Sequence, residues 1–401
     1  MRRNSPLVLL ALAAAVLGGA ISLVGAKVSG LADGGTSTVY VPAVRDLRPA
    51  ANEPVSATAR PLVGNGFDPS RIYAARSAGV VTVFAFFDRA AQHAAQGSGF
   101  VVSENGYILT SAHVITDAGD SAKTTEASSV YIGFKDRDRV KAEIVGWDVY
   151  DDVALLRVAP GAHKLTPVPL GDSSRVQAGD PVAAMGSPFG NEDSIAVGVV
   201  SAIQRSISSL TSLYRVVDAI QTDAPITHGN SGGPLFDARG RVIGINAQIR
   251  SDTGTAEGVG FAVPINAAKR SMQQLVAIGH VVYAYLGVTT EDLTPTLARH
   301  LGYTTSRGAI VSSVRDNSPA DRGGIRGGNK DETFNGQTIT SGGDVIVAID
   351  GQAVHSADDV VRQVGAKLPG QSAALTVIRD GKQRVVRVKL GSRPAAPETS
   401  R

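Results

Sequence analysis

Apolar residues in this chain fall mostly into short runs that are separated by glycine, proline and other turn-forming residues. Many short runs of this kind predict strands, and their number favours barrels over helical or alternating folds. The predicted strands are residues 79–87, 99–102, 107–111, 129–134, 141–147, 152–158, 181–185, 196–203, 219–222, 234–236, 242–248 and 258–264. Asp68 followed by Pro69 is typical of a helix start, so a helix is predicted over 69–77, and a second one over 265–278.

A second series of elements follows over residues 285–390. It is predicted to contain a strand at 308–314, a short helix at 318–324, a strand and turn at 344–351, a helix at 356–364, and a hairpin of 374–379 and 384–389. Asp380 and Gly381 have the residue types of a hairpin turn. A polar, glycine-rich stretch at 327–343 separates the short helix from the next strand, and the sequence indicates no role for it.

The N-terminal residues predict that the rest of the chain is exported across the cytoplasmic membrane. Arg2 and Arg3 precede an uncharged, apolar run over residues 4–26, about the ~20 residues that a membrane-spanning helix requires. Small residues at 24–26 also fit a cleavable signal sequence. We expect an uncleaved anchor with its basic end in the cytoplasm, because the run is long. Residues 27–68 are rich in proline, glycine, serine and threonine and predict a flexible linker.

Composition excludes several classes of protein. The chain has 401 residues, of which 43% are hydrophobic, which is enough for roughly two to three domains. Its formal charge of +3 and the lack of a basic run argue against nucleic-acid binding. Cysteine is absent, so the sequence offers no disulfide, thiol nucleophile, lipoprotein anchor or thiolate metal site. We expect neither a metal nor a cofactor.

Ser231 lies in the glycine-rich stretch GNSGGP, residues 229–234. A tight glycine turn can expose a hydroxyl, and the N–H groups of Gly229 and Ser231 can point together at a developing oxyanion. A lone serine in such a turn is usually only a turn residue. The prediction of a nucleophile therefore depends on partners elsewhere in the chain.

Partners of suitable chemistry precede the serine. His113 follows an apolar run, and Asp152 opens the predicted strand 152–158. Imidazole can act as a base, and a carboxylate can hold its tautomer. Asp148 and Asp151 lie beside Asp152 and are the alternative carboxylates. With seven histidines in the chain, a chance arrangement is the alternative explanation.

These motifs, in the order His, Asp, Ser, resemble those of chymotrypsin-like proteases and, more closely, of the HtrA/Deg family. The resemblance covers roughly residues 70–390 and includes the stretch GSGF at 97–100. It implies a mainly β fold of two six-stranded β-barrels with the active site in their crevice, followed by a PDZ domain. It also implies that Ser231 is the nucleophile, His113 the general base and acid, and Asp152 the residue that orients the imidazole.

The resemblance further implies how substrates bind. The strand 243–248 would pair with an extended polypeptide. Ile226 would form the floor of the pocket for the residue before the scissile bond, and Asn246, between Ile245 and Ala247, would lie near its wall. None of these residues is acidic, so we expect cleavage after small or medium apolar residues.

Two further predictions concern peptide contacts. In the PDZ module, the N–H groups of Leu286, Gly287 and Val288 are expected to bind a peptide carboxylate. His228, three residues before Ser231, is expected at the rim of the cleft, because its loop must form the oxyanion hole. In the family, only two residues usually connect the short helix to the next strand, where this chain carries residues 327–343.

The sequence therefore predicts an ATP-independent serine endopeptidase of the cell envelope that cleaves unfolded or damaged proteins under PDZ control. It lacks the phosphate-binding loop of an attached ATPase. The alternatives are a signalling protease that makes one specific cut and a non-catalytic client binder. The predicted segments are an anchor or signal sequence (1–26), a linker (27–68), a protease domain (69–280), a PDZ domain (281–390) and a disordered tail (391–401). A homotrimer is expected by analogy with the family.

Overall fold

The structure is a computed structural model that describes residues 66–87, 94–117, 124–187, 194–209, 211–212, 214–226, 229–247 and 259–394. All of these residues belong to one compact unit. The predicted anchor, nearly all of the predicted linker, and His228 lie outside the described residues. None of the described helices is long and apolar enough to cross a membrane.

The first barrel is a closed, antiparallel sheet with strand order β1, β2, β3, β6, β5, β4. Its strands are β1 (Val80–Phe86), β2 (Ala94–Val101), β3 (Tyr107–Thr110), β4 (Ser129–Gly133), β5 (Arg139–Asp148) and β6 (Val153–Val158). Branched apolar side chains such as Val83, Ile108, Ile132 and Leu156 fill its interior and are fully buried. Closure leaves neither edge of the sheet unpaired.

The second barrel is also closed, with strand order β10, β11, β12, β9, β8, β7. Its strands are β7 (Pro181–Gly186), β8 (Ser194–Ser208), β9 (Arg215–Thr222), β10 (Pro234–Asp237), β11 (Val242–Ala247) and β12 (Gly260–Pro264). The prediction of two six-stranded barrels is confirmed. The strands β8 and β9 extend further than predicted, because their pairing continues through several register shifts.

The described residues of the two-barrel region contain three α-helices, of which two were predicted. They are α1 (Pro69–Arg76), α2 (Ala112–Ile115) and α3 (Ile265–Ile278). The carboxylate of Asp68 accepts a hydrogen bond from the N–H of Arg71 at 3.0 Å and caps α1 as predicted. The helix α3 has the predicted bounds and is capped by Gly279, whose φ of 76° suits glycine.

One apolar cluster joins the two barrels. Phe100 of the first barrel, Phe236 of the second and Ile265 of α3 all belong to it, and each is fully buried. The helix α3 buries a row of apolar side chains against both sheets. The relative position of the barrels, and so of the crevice between them, is fixed by this shared core.

The C-terminal module contains a sheet in the order β14, β15, β18, β20, β21, with the short β19 paired to β18. Its helices and strands are β13 (Ala284–Tyr285), β14 (Val288–Leu293), α4 (Pro295–Leu301), β15 (Gly308–Val314), α5 (Pro319–Gly323), β16 (Lys330–Phe334), β17 (Gln337–Ser341), β18 (Val345–Ile349), β19 (Gln352–Ala353), α6 (Ala357–Gly365), β20 (Ser372–Arg379), β21 (Lys382–Lys389) and β22 (Gly391–Ser392). The predicted turn of the last hairpin lies at Asp380 and Gly381, which both have positive φ.

The stretch 327–343 contains the hairpin of β16 and β17, which was not predicted. It turns at Asn335 and Gly336, whose φ angles are 50° and 79°. Asn-Gly is the preferred pair for such a turn, so the signal was present in the sequence. Ile339 of this hairpin is buried with Leu293 in a small second core of the module.

The prediction of a disordered tail over 391–401 is wrong for its first residues. Ser392 pairs with Ala284, and Gly391 with Tyr285, in the two-stranded sheet of β13 and β22. The N–H of Arg393 then donates to the carbonyl of Tyr283 at 2.9 Å. Backbone pairing orders this segment because the ends of the module meet there. Residues 395–401 lie outside the described part of the chain.

Asp344 and Arg379 form a buried ion pair within this module. The carboxylate of Asp344 is fully buried and accepts from Nε and from the terminal nitrogen of Arg379, each at 2.6 Å. We expect Asp344→Ala to remove both bonds to the partly buried Arg379, which keeps only the Gly324 carbonyl at 2.7 Å, and to lower the hydrogen-exchange protection of β18 and β20 by the equivalent of about 1.5–3 kcal/mol. Arg326→Ala removes only an exposed pair 3.9 Å long and should change protection little. Equal effects would contradict this prediction.

Candidate active site

His113 and Asp152 meet at one end of the first barrel. His113 lies in the one-turn helix α2 directly after β3, and Asp152 lies directly before β6. Because β3 and β6 pair, with Thr110 opposite Ala154, the two residues are neighbours. Nδ1 of His113 lies 2.7 Å from Oδ2 of Asp152, and the His113 N–H donates to Oδ1 at 2.9 Å. Both carboxylate oxygens therefore fix the position of the histidine.

The turn that carries this aspartate, residues 148–152, is called the aspartate turn below. Asp152 is buried and has a φ of 53°, in the left-handed region that non-glycine residues rarely adopt. Asp148 is buried at the other end of the turn, and its Oδ1 accepts from the N–H of Tyr150 at 2.9 Å. The structure thus brings Asp152, rather than Asp148 or Asp151, to the histidine.

Two opposing effects act on the imidazole of His113. Burial disfavours the charged ring and would lower its pKa, but the charge of Asp152 and the hydrogen bond to it raise the pKa. The net pKa of His113 lies above its ordinary value of 6.5. The side chain retains 19% exposure, so part of the imidazole remains accessible. An imidazole paired in this way can accept a proton and hold it.

Ser231 lies in the nucleophile turn, residues 229–233, directly before β10 of the second barrel. Gly229 and Gly232 have φ angles of 100° and 84°, which require glycine. Ser231 is 5% exposed, and its hydroxyl has no hydrogen-bond partner among the described residues. Within the same residues, no hydrogen bond occupies the N–H of Gly229 or of Ser231. The turn therefore offers a buried hydroxyl and two free donors.

Ser98 of β2 connects the nucleophile turn to the first barrel. Its N–H donates to the carbonyl of Ser231 at 2.8 Å, and its hydroxyl donates to the carbonyl of Gly229 at 2.5 Å. The same hydroxyl accepts from the N–H of Ser187 at 2.8 Å, and the Ser98 carbonyl accepts from the Thr110 hydroxyl at 2.6 Å. Sequence analysis missed this role, although the stretch around Ser98 contributed to the family resemblance.

The predicted substrate contacts differ in their exposure. Ile226 is half-buried and packs against the core of the second barrel. Ile245 and Ala247 are buried in the shared core. Asn246 is fully buried, and its side-chain amide donates to the carbonyls of Met185 and Pro234 at 3.1 and 3.2 Å. Its side chain thus connects β7 to β10, and the prediction that the pocket wall lies near Asn246 stays a prediction.

The predicted carboxylate loop of the C-terminal module lies between β13 and β14. Gly287 has a φ of 85°, and a Cβ atom there would lie 2.3 Å from the side chain of Ser318. The carbonyls of Leu286 and Gly287 accept from the N–H groups of Ala320 and Arg315 at 2.8 and 3.0 Å. These two hydrogen bonds direct the carbonyls of Leu286 and Gly287 towards residues 315–320 of the same module. The strand β14 that follows is an edge strand of its sheet.

No group of three or more potential metal-ligating side chains occurs among the described residues.

Two family models match this chain, one in the two-barrel region and one in the C-terminal module. Residues 97–245 match the family described as a trypsin-like peptidase domain, and residues 284–390 match the family described as a PDZ domain. The prediction of a C-terminal PDZ domain is confirmed. The two matches together span His113, Asp152, Ser231 and the loop at Gly287.

Curated relatives and solved structures agree with these matches. A probable periplasmic serine endoprotease DegP-like of Pseudomonas fluorescens is 38% identical over 307 residues, 77% of this chain and 58% of that protein. A protein of the same name from Brucella suis is 38% identical over 300 residues, 75% of this chain and 53% of that protein. The chain thus spans little more than half the length of these relatives. The structure of HtrA-type protease AlgW with tripeptide matches with a TM-score of 0.66 and 32% identity, covering 82% of this chain and 98% of that one.

The balance of effects on His113 can be tested by titration. Asp152→Asn removes the two effects that raise the pKa of His113 and leaves burial, which lowers it. We expect the NMR titration midpoint of His113 to lie above 6.5 in the unmodified protein and to fall in the variant. Asp136→Asn, which removes a carboxylate that pairs with His163 instead, should leave the midpoint of His113 unchanged. A midpoint unaffected by Asp152→Asn would contradict the assignment.

Proposed function

This chain belongs to the HtrA/Deg family of serine proteases, and we propose that it is an ATP-independent serine endopeptidase that cleaves unfolded or damaged proteins. The observation that supports the proposal most directly is the bond of 2.7 Å between His113 and Asp152. The turn that carries the buried hydroxyl of Ser231 is bonded to the same barrel through Ser98. A base oriented by a carboxylate, beside a serine in a glycine turn, is the arrangement that acyl transfer requires.

In the proposed reaction, Oγ of Ser231 attacks the scissile carbonyl carbon while Nε2 of His113 takes the hydroxyl proton. Asp152 holds the Nδ1 proton and stabilises the imidazolium. The N–H groups of Gly229 and Ser231 donate to the oxyanion. The tetrahedral intermediate collapses, the C–N bond breaks, and His113 gives its proton to the leaving amine. Water then attacks the acyl-enzyme by the same route and restores Ser231.

The first step requires a contact that forms with substrate. The Ser231 hydroxyl has no partner among the described residues, so the bond from Oγ to His113 must form when substrate enters. Catalytic hydrogen bonds are often long in substrate-free structures and tighten in the complex. This state of Ser231 also favours regulation, because a protease whose nucleophile is not yet engaged can be held inactive until a signal arrives.

We assign that signal to the PDZ domain. A peptide with a free C-terminus would place its carboxylate on the N–H groups of Leu286, Gly287 and Val288. The rest of the peptide would pair with the free edge of β14. We further propose that the protein acts in the cell envelope, held by residues 1–26. The relatives named above are described as periplasmic. A homotrimer is the assembly that the family resemblance suggests.

The proposal is tested first by casein cleavage. We expect Ser231→Ala to reduce turnover by about 10⁴-fold or more, because only binding and the oxyanion donors remain. Ser128→Ala, at an exposed serine of the first barrel, is the matched control and should keep full activity. Peptides with free apolar C-termini should stimulate cleavage if the PDZ domain regulates it.

Other outcomes of this experiment distinguish the alternatives. A single discrete cut in one substrate, without casein degradation, would favour a site-specific signalling protease. No cleavage under any condition, with equal client binding by the unmodified protein and Ser231→Ala, would favour a non-catalytic client binder.

Substrate preference provides a second test. Ile226 is the proposed floor of an uncharged pocket, so peptides with valine or alanine before the scissile bond should be cleaved in preference to those with arginine. Ile226→Asp should shift the preference towards arginine by about tenfold or more, because a buried charge would gain a partner in that substrate. Val197→Asp, at a half-exposed valine of β8, is the control. An unchanged preference in Ile226→Asp would place the pocket elsewhere.

A further inference from the structure

Arg393 lies three residues beyond the PDZ match, yet its side chain is packed against the protease domain. Its guanidinium carbon lies 5.2, 5.0 and 5.0 Å from the ring centroids of Tyr150, Tyr214 and Tyr283, which we call the tyrosine cage. Tyr150 belongs to the aspartate turn. We propose that Arg393 is a positioning residue that holds the aspartate turn, and with it Asp152, in the geometry that catalysis needs. This inference rests on the proposed protease function.

The aspartate turn needs such support because its conformation is strained. A left-handed φ at a residue other than glycine persists only where the surroundings impose it. Besides the bonds of Asp152 to His113, several side chains from outside the turn act on it. The hydroxyls of Ser271 and Tyr283 lie 2.6 and 2.5 Å from Oδ2 of Asp148, Tyr283 also reaches Oδ2 of Asp151 at 2.8 Å, and the hydroxyl of Thr211 donates to the carbonyl of Val149 at 2.5 Å.

The electrostatics of this turn also require a cation. Burial first, and then the neighbouring Asp151, raise the pKa of Asp148 to about 6. The Tyr283 hydroxyl has one proton, so it can donate to only one of the two carboxylates at a time. Burial raises the pKa of Asp151 as well; Arg270 and Arg393 lower it, and Asp218 raises it. Arg393 is thus one of two cations that offset the charge of Asp151, which lies half-buried beside the buried Asp148.

Backbone contacts hold Arg393 in its place. Its N–H donates to the carbonyl of Tyr283 at 2.9 Å. The hydroxyl of Tyr150 donates towards the carbonyl of Pro394 at 2.9 Å and lies 3.4 Å from that of Arg393. The rings of Tyr150 and Tyr283 pack edge to face, with centroids 5.1 Å apart. A shift of the chain after β22 would therefore move Tyr150, which is two residues from Asp152.

The test compares Arg393→Ala with Arg387→Ala in the full chain, using an apolar peptide substrate. Arg387 is an exposed arginine of β21, so its removal causes the same change in charge without touching the cage. We expect Arg393→Ala to lower kcat on the order of tenfold, since small displacements of catalytic groups have effects of at least this size. KM should not change, because Asp152 acts in the chemical step. Arg393→Lys keeps a cation in the cage and should restore part of the loss.

A double-mutant cycle distinguishes positioning from a general structural effect. If Arg393 acts through Asp152, then Arg393→Ala should reduce kcat little further in the Asp152→Asn background. Multiplicative losses would overturn the inference, as would an Arg393→Ala enzyme with the kcat of Arg387→Ala. A protein without activity in any form would instead count against the proposed function.

A second readout does not depend on activity. Trp147 is the only tryptophan of the chain and directly precedes the aspartate turn, so its fluorescence reports on that turn. We expect acrylamide to quench Trp147 more strongly in Arg393→Ala than in the unmodified protein, and equally in Arg387→Ala. Unchanged quenching in Arg393→Ala would overturn the inference even for an inactive protein.

Discussion

The whole site depends on the junction between the two barrels. The proposed base and its carboxylate, His113 and Asp152, belong to the first barrel, and the proposed nucleophile Ser231 and oxyanion donors belong to the second. Their distance is therefore set by whatever fixes one barrel against the other. The shared core fixes the overall position of one barrel on the other. The hydrogen bonds of Ser98 to the carbonyls of Gly229 and Ser231 then hold the turn of Ser231 directly against β2. Because these bonds use the turn carbonyls, the turn N–H groups remain available for an oxyanion.

Three aspartates within five residues have different roles in this arrangement. Asp152 bonds to His113, Asp148 accepts hydrogen bonds from the backbone of its own turn, and Asp151 shares the Tyr283 hydroxyl with Asp148. Placing the buried Asp148 and the half-buried Asp151 beside Asp152 costs stability unless hydrogen bonds and cations compensate. The compensation comes from α3, from the segment before β13 and from the segment after β22. The charge balance of the protease domain thus extends into the segments that flank the PDZ domain.

The sequence was informative where the structure depends on local patterns. The bounds of α3, the cap at Asp68 and most strands follow from periodicity and turn residues. The order of His113, Asp152 and Ser231 follows from motifs next to those strands. Ser98, the buried state of Asn246 and the cage around Arg393 could not be predicted, because each depends on contacts between residues far apart in the chain. The hairpin at Asn335 is different, since its turn signal was present and was obscured by the polar composition around it.

The shared core has a consequence for how the chain folds. Its members extend from Ile72, before the first barrel, to Leu275 near the end of α3. Contacts across such separations form late, because the entropy of closing long loops opposes them until many contacts can form together. A chain emerging from its N-terminus can bury the interior of its first barrel, whose members run from Val81 to Val158, but it cannot complete the junction with the second barrel until α3 is available. The last step of folding is therefore the docking of the barrels, and truncation before α3 would leave that junction incomplete.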